Sequence, residues 1–172
     1  CVIYQGPDAD YHGREICLTA SETGLGVADV SDKARPRTIS IATYPNVSYA
    51  HQGWLTDDHR YFFLDDEGDE ASGVVLKTRT LIWDLSDLEN PKLAKEHLGI
   101  EASSDHNLYI VGDTMYQANY KSGLRILSST VNSPALAQQL GDLLKLFPKA
   151  RWIQCEPVNR DKARSDVATV VR

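Results

Sequence analysis

The chain repeats itself at a fixed distance, and a period of that size constrains architecture more than any single residue does. Sliding the sequence by 55 positions without a gap pairs Asp29 with Asp84, Ser31 with Ser86, Asp32 with Asp87, Pro36 with Pro91, Ser48 with Ser103, His51 with His106, Asp58 with Asp113, Tyr61 with Tyr116 and Gly68 with Gly123. Those nine identities fall within forty positions, where unrelated segments of ordinary composition would share roughly two or three. The chain is built from copies of one unit.

Each copy reads as short strands. "HQGWLT" and "RYFFLDD" are aromatic and β-branched runs separated by Asp57, Asp58 and His59, a hairpin pattern. "TRTLIWDLSD" alternates Leu81, Trp83 and Leu85 with Thr80, Ile82 and Asp84, and "KLAKEHLG" follows "LENP". A four-stranded antiparallel unit of this length recurring in tandem predicts a β-propeller blade. In the first copy, "CVIYQGPD" takes the second-strand position, "TGLGVADVSD" the third and "RPRTISIATY" the fourth, so the chain opens inside a blade. The third copy supplies "HNLYIVGD", "TMYQANY" and "SGLRILS". On this template the insertions "GPDADYHGREIC" and "DDEGDEASGVVLK" fall at one junction and emerge on one face, where propellers commonly bind. The expected fold is therefore mainly β: a partial propeller of about two and a half four-stranded antiparallel blades over residues 1–128.

Residues 129–172 change character. Leu136, Leu140, Leu143, Leu144 and Phe147 recur at helical spacing behind Ser133 and Pro134. "ARWIQCEPV" then reads as a strand, and Asn159 as the cap of a second helix through "RDKARSDVATVV". This helix–strand–helix segment does not continue a propeller.

The strings "GLGVADVSDKARP", "TLIWDLSDLENP" and "SGLRILS" resemble the LVIVD-type repeat. "CVIYQGPDADYHGREIC", "AHQGWLTDDHRYFFLDDEGDE" and "SDHNLYIVGDTMYQANYKSGLRIL" are similar to the choice-of-anchor B family of secreted bacterial propellers. The resemblance implies an extracytoplasmic propeller, secreted, periplasmic or on the cell surface, and carries no defined activity. The tail "SPALAQQLGDLLKLFPKARWIQCEPVNRD" resembles a piece of the molybdopterin-oxidoreductase-like iron–sulfur subunit of quinol-oxidising alternative complexes. It has no cysteine cluster, so no redox role carries over.

Charge and cysteines narrow the partners. A net charge of -6 leaves no basic face for nucleic acid or an anionic membrane, and no apolar run reaches membrane-spanning length. Of three cysteines, Cys1 and Cys17 bracket a short loop and suit a disulfide, the alternative being two buried thiols.

Two constellations offer chemistry. Asp65, Asp66, Glu67, Asp69 and Glu70 crowd a loop around Gly68, hard oxygen ligands that suit Ca²⁺, although the spacing fails the 12-residue loop and a solvated turn is the plainer reading. His51 and His106 begin equivalent strands near a propeller axis, and with Asp105 they suit a transition metal or an anionic ligand; the plainer reading has both imidazoles satisfying backbone groups. Asp32 and Asp87 read as turn residues and Trp54, Trp83, Tyr61 and Tyr116 as inter-blade core. There is no nucleophile elbow, zincin helix, Walker loop or Cys-x-x-Cys pair. The expected function is a non-catalytic binding scaffold with no cofactor beyond possible Ca²⁺. Its partners would be a protein, further blades or a second copy of itself. A fragment associated with a respiratory quinol-oxidising complex is the second reading and a metal-dependent hydrolase around His51, His106 and Asp105 the third.

Overall fold

A computed structural model describes residues 1–128, 153–157 and 168–170. The described chain is mainly β. Sheet 1 contains β1 (Val2–Ile3), β2 (Glu15–Ala20), β3 (Leu25–Asp29) and β4 (Arg37–Ala42) in that order, and sheet 2 contains β5 (Ala50–Leu55), β6 (Tyr61–Asp66), β7 (Arg79–Asp84) and β8 (Lys92–Leu98). Both are fully antiparallel meanders, the blade-like unit that the repeat predicts. Sheet 3 begins the same way with β9 (Asn107–Val111), β10 (Thr114–Ala118) and β11 (Leu124–Ser128). Among the described residues the sheets form no closed ring.

The fourth position of sheet 3 is filled differently. β12 (Ile153–Pro157) lies beside β11 in parallel, and β13 (Ala168–Val170) pairs antiparallel with β12. The strand expected around residue 153 is present; of the helix expected from residue 160, residues 168–170 are strand β13 instead and residues 160–167 lie outside the described residues. Backbone pairing with β12 overrides the weak helical pattern of that stretch. The amphipathic helix expected over residues 133–147 lies outside the described residues.

Sheet 2 is sandwiched. Phe62, Leu64, Leu81 and Trp83 pack with Tyr4, Ile16, Leu25 and Val27 of the sheet 1 side, whereas Tyr61, Phe63 and Ile82 pack with Leu108, Ile110, Met115 and Leu127 of sheet 3. Alternation along β6 and β7 sends successive side chains to opposite faces, so a strand buried throughout feeds both cores.

Register corrects two sequence readings. The first concerns Tyr61 and Tyr116, identical in the gapless alignment: the hairpin of sheet 2 is two residues longer than that of sheet 3, and the structural mate of Tyr116 is Phe63. The second concerns the first copy, which is a complete four-stranded sheet whose β1 is the two-residue Val2–Ile3 and whose second strand is Glu15–Ala20. Its insertion, residues 4–14, therefore joins β1 to β2, whereas residues 67–78 join β6 to β7. Successive antiparallel connections lie at opposite ends of a sheet, so the two insertions do not share a face.

The first insertion is also not a solvated binding loop. Tyr4 is buried and its hydroxyl donates to the Leu85 carbonyl at 2.9 Å; Asp8 accepts from the Leu88 amide at 2.8 Å, and Tyr11 donates to Glu89 at 2.9 Å. It clamps sheet 1 onto the β7–β8 connection. Cys1 and Cys17 form a disulfide between the start of the chain and β2, stapling the short β1 in place.

Candidate functional site

The β6–β7 insertion sits at the end of sheet 2 where β5 begins, with Gly68 against Ser48 and Tyr49, and its Glu67 reaches His106, the residue before β9. Two adjoining clusters form there. The outer one contains His51 and His106, whose rings stack 5.0 Å apart with planes 12° off parallel. Glu67 reaches both: one carboxylate oxygen lies 3.5 Å from His51 Nδ1, the other 3.5 Å from His106 Nε2. Tyr49 stacks on His51 at 5.9 Å and Tyr120 tilts on His106 at 5.1 Å, making a row of four rings. The Tyr120 hydroxyl donates to Glu67. All three ligand-bearing groups are half-buried and face water on one side.

The inner cluster lies beneath. Asp65, Asp69 and Asp105 are fully buried, and Asp69, Glu70 and Asp105 bring carboxylate oxygens within 4.8 Å of one another. Burial pushes Asp65 up to about 7, while hydrogen bonding with Asp105 and Gln117 pulls the other way. Burial and the adjoining Asp69 carboxyl push Glu70 up to about 9. Burial, followed by the negative charge of Asp65, holds Asp105 well above the ordinary range; burial also raises Asp69, against the pull of Glu70 and Arg79.

Buried donors balance part of this charge. Arg79, 1% exposed, donates through Nε to Asp69 at 2.7 Å and through its Nη atoms to the Pro45 and Asn46 carbonyls at 3.0 Å each. Gln117 donates to Asp65 at 2.9 Å and to Thr80 at 2.8 Å, and Asn119 donates to Gln117 at 3.0 Å. Arg125 is likewise buried and lies against Gly99.

The structure redistributes the sequence groupings. Of the acidic run, Asp66 serves the backbone: it accepts from the Ser48, Tyr49 and Gly68 amides and from the Tyr44 hydroxyl. Glu67 joins the histidines, Asp65 joins Gln117, and Asp69 and Glu70 turn to Arg79 and Asp105. The five do not surround one point as a Ca²⁺ loop would. Asp105 points into the inner cluster and is not grouped with His51 and His106. Gly68 keeps a negative φ of -97°, so its role is close approach: a Cβ there would meet Ser48 Oγ at 2.7 Å and Tyr49 Cβ at 2.9 Å.

Sequence reading missed Tyr49, Tyr120, Arg79, Gln117 and Asn119. Arg79 did leave a signal, a lone cation two residues before the apolar run Leu81–Trp83; Gln117 and Asn119 left none, because only the register places them against Asp65 and each other. Trp54, expected in the core, is 40% exposed and sets its ring edge on Tyr109 at 4.9 Å. A cleft of about 360 Å³ near the other end of β5 is lined by Cys1, Trp54, Asp57 and His59 among others; it gathers no comparable set of ligands.

The chain matches no known family model and no curated protein sequence. Among the described residues, no helix is long and apolar enough to cross a membrane.

Proposed function

We propose that the chain is a non-catalytic, extracytoplasmic binding scaffold of the LVIVD-repeat, choice-of-anchor B type, and that it engages its partner sheet against sheet. The observation that carries this reading is the outer face of sheet 3. Sheet 2 grips sheet 3 through Gln52, whose amide bridges the Leu108 amide and carbonyl at 2.7 and 3.0 Å, through Trp54 against Tyr109, and through Phe63 in the shared core. The repeat places Asn107, Tyr109 and Tyr116 at those same three positions one sheet further on. Tyr109 is 50% exposed and Val111 68%. Sheet 3 thus presents a gripping surface of the kind that sheet 2 uses, and its natural complement is another sheet of this design.

The disulfide supports a compartment in which thiols oxidise. In the isolated chain the available complement is a second copy. Sedimentation over a wide concentration range is expected to show reversible self-association that Tyr109→Asp with Val111→Asp abolishes; a strict monomer throughout would refute the docking reading.

A further inference from the structure

We propose that His51, His106 and Glu67 form a transition-metal site, filled by Zn²⁺ or an ion of similar preference, that bridges sheets 2 and 3. The assignment stands on the outer cluster alone and does not depend on what docks against sheet 3.

Donor chemistry is the first argument. Two imidazole nitrogens and a carboxylate suit Zn²⁺ and its neighbours, whereas Ca²⁺ takes six to eight oxygens. Distance is the second. Metal–ligand bonds of about 2.0–2.1 Å in a tetrahedron place neighbouring ligand atoms about 3.3–3.5 Å apart. His51 Nδ1 lies 3.5 Å from one Glu67 oxygen and His106 Nε2 3.5 Å from the other, and one ligand atom from each of the three residues lies within 4.8 Å of the other two. An ion can therefore enter once the stacked imidazoles turn about χ2 so that their in-plane lone pairs converge beside Glu67.

Support of the carboxylate is the third argument. Tyr49 and Tyr120 flank the imidazole pair, and the Tyr120 hydroxyl holds Glu67, the kind of supporting contact that orients a metal ligand. The side chains retain 28%, 37% and 21% exposure for His51, His106 and Glu67, so an ion has a route in and a fourth position open to water or a partner's side chain. Because His51 comes from sheet 2, His106 from sheet 3 and Glu67 from the insertion between β6 and β7, the ion would tie the two sheets together at the axial end.

The test is calorimetric titration of the metal-stripped full chain with ZnCl₂, with CaCl₂ as the competing probe, alongside thermal melts. The expected result is one Zn²⁺ per chain, undisturbed by excess Ca²⁺. Zn²⁺ should raise the melting temperature of the parent chain. His51→Ala, His106→Ala and Glu67→Gln should each weaken binding by at least tenfold and lose that rise. Tyr120→Phe, which removes only the support of Glu67, should weaken binding severalfold. Zn²⁺ should also protect His51 and His106 of the unaltered chain from diethylpyrocarbonate while exposed His12 still reacts, a readout that needs no variant to fold. Absence of stoichiometric Zn²⁺, or binding unchanged in the two histidine variants, overturns the assignment. Self-association of the parent chain without Zn²⁺ would leave the docking reading standing on its own.

Discussion

The two interfaces of sheet 2 use the same three positions in opposite ways. Toward sheet 1 they are Ala50, Leu64 and Leu81, all buried in one apolar cluster. One repeat later, in sheet 3 and facing sheet 2, the structurally matched positions are Asp105, Gln117 and Arg125, equally buried. Sheet 2 meets that polar trio with Asp65 and Thr80. Apolar burial at the first interface is favourable wherever it occurs, at roughly 25 cal/mol per Å². The second interface has to match each desolvated group with a partner, and it is the one beside the candidate metal ligands. At these three positions geometry is repeated while chemistry is not, although the two sheets also share the apolar cluster around Phe63 and Leu108.

The largest expected break in this contrast is at Arg79. Arg79→Met leaves Asp69 buried without its guanidinium and removes the donors to the Pro45 and Asn46 carbonyls, which should cost about 3–5 kcal/mol in urea unfolding. A loss under about 1 kcal/mol would mean that the buried carboxyls are already neutral without it.

A matched pair of alanines sharpens the comparison. Leu81→Ala opens a cavity in the apolar interface and should cost about 2–5 kcal/mol. Asp105→Ala restores at sheet 3 the residue that sheet 2 carries and relieves a desolvated carboxyl, so its effect on stability should lie within about 1 kcal/mol of zero or be favourable. Equal losses from both would show that the ionic interface is as stabilising as the apolar one.

The last contrast is in the pH dependence, whose sign differs between regions and whose smallest member is Asp29. Glu70 is raised to about 9 by burial and by Asp69, while the Arg79 backbone amide that donates to it pulls the other way; Asp105 is the other carboxyl packed beside it. A group raised in the fold contributes stability that is complete below its unfolded value and lost as pH climbs through the folded one. Stability should therefore decline from about pH 4.5 toward 9, and Glu70→Gln should flatten that decline. Asp29, at the turn after β3, is held down at about 2 by the Ser31 amide and hydroxyl and by Arg14. Its contribution is present above pH 3.8 and lost as pH falls through 2. Asp29→Ala should cost about 1 kcal/mol at neutral pH and nothing in strong acid. Chemical denaturation across pH checks both, and an alkaline decline that survives in Glu70→Gln assigns it elsewhere.

The repeat made the strands legible because alternation and turn chemistry are local. Asp32 and Asp87 do accept amides two residues on, from Ala34 and Glu89. Asp29 and Asp84 do the same through the Ser31 and Ser86 amides, each also paired with an arginine, Arg14 or Arg60. The proximity of His51 and His106 was legible for the same reason: equivalent residues at the first strands of adjacent, packed sheets come close. What stayed hidden depended on register and on unequal loops. A five-carboxylate run looks like one site until alternation turns Asp65 toward sheet 3 and Asp66 to the backbone on the opposite side, and the chain leaves β6 at Glu67, beside the histidines. The short β1 was invisible because two residues carry no periodicity, and that error placed both insertions at one junction.

The clamp of residues 4–14 has a consequence for how the chain is made. Tyr4, Asp8 and Tyr11 find their partners at Leu85, Leu88 and Glu89, about eighty residues later. A ribosome delivers the first segment long before the second, so sheet 1 must wait, its aromatic side chains uncovered, until the third strand of sheet 2 has emerged. Sheets 1 and 2 therefore mature together as one late step, and the Cys1–Cys17 bond, once formed where thiols oxidise, ties the early segment to β2.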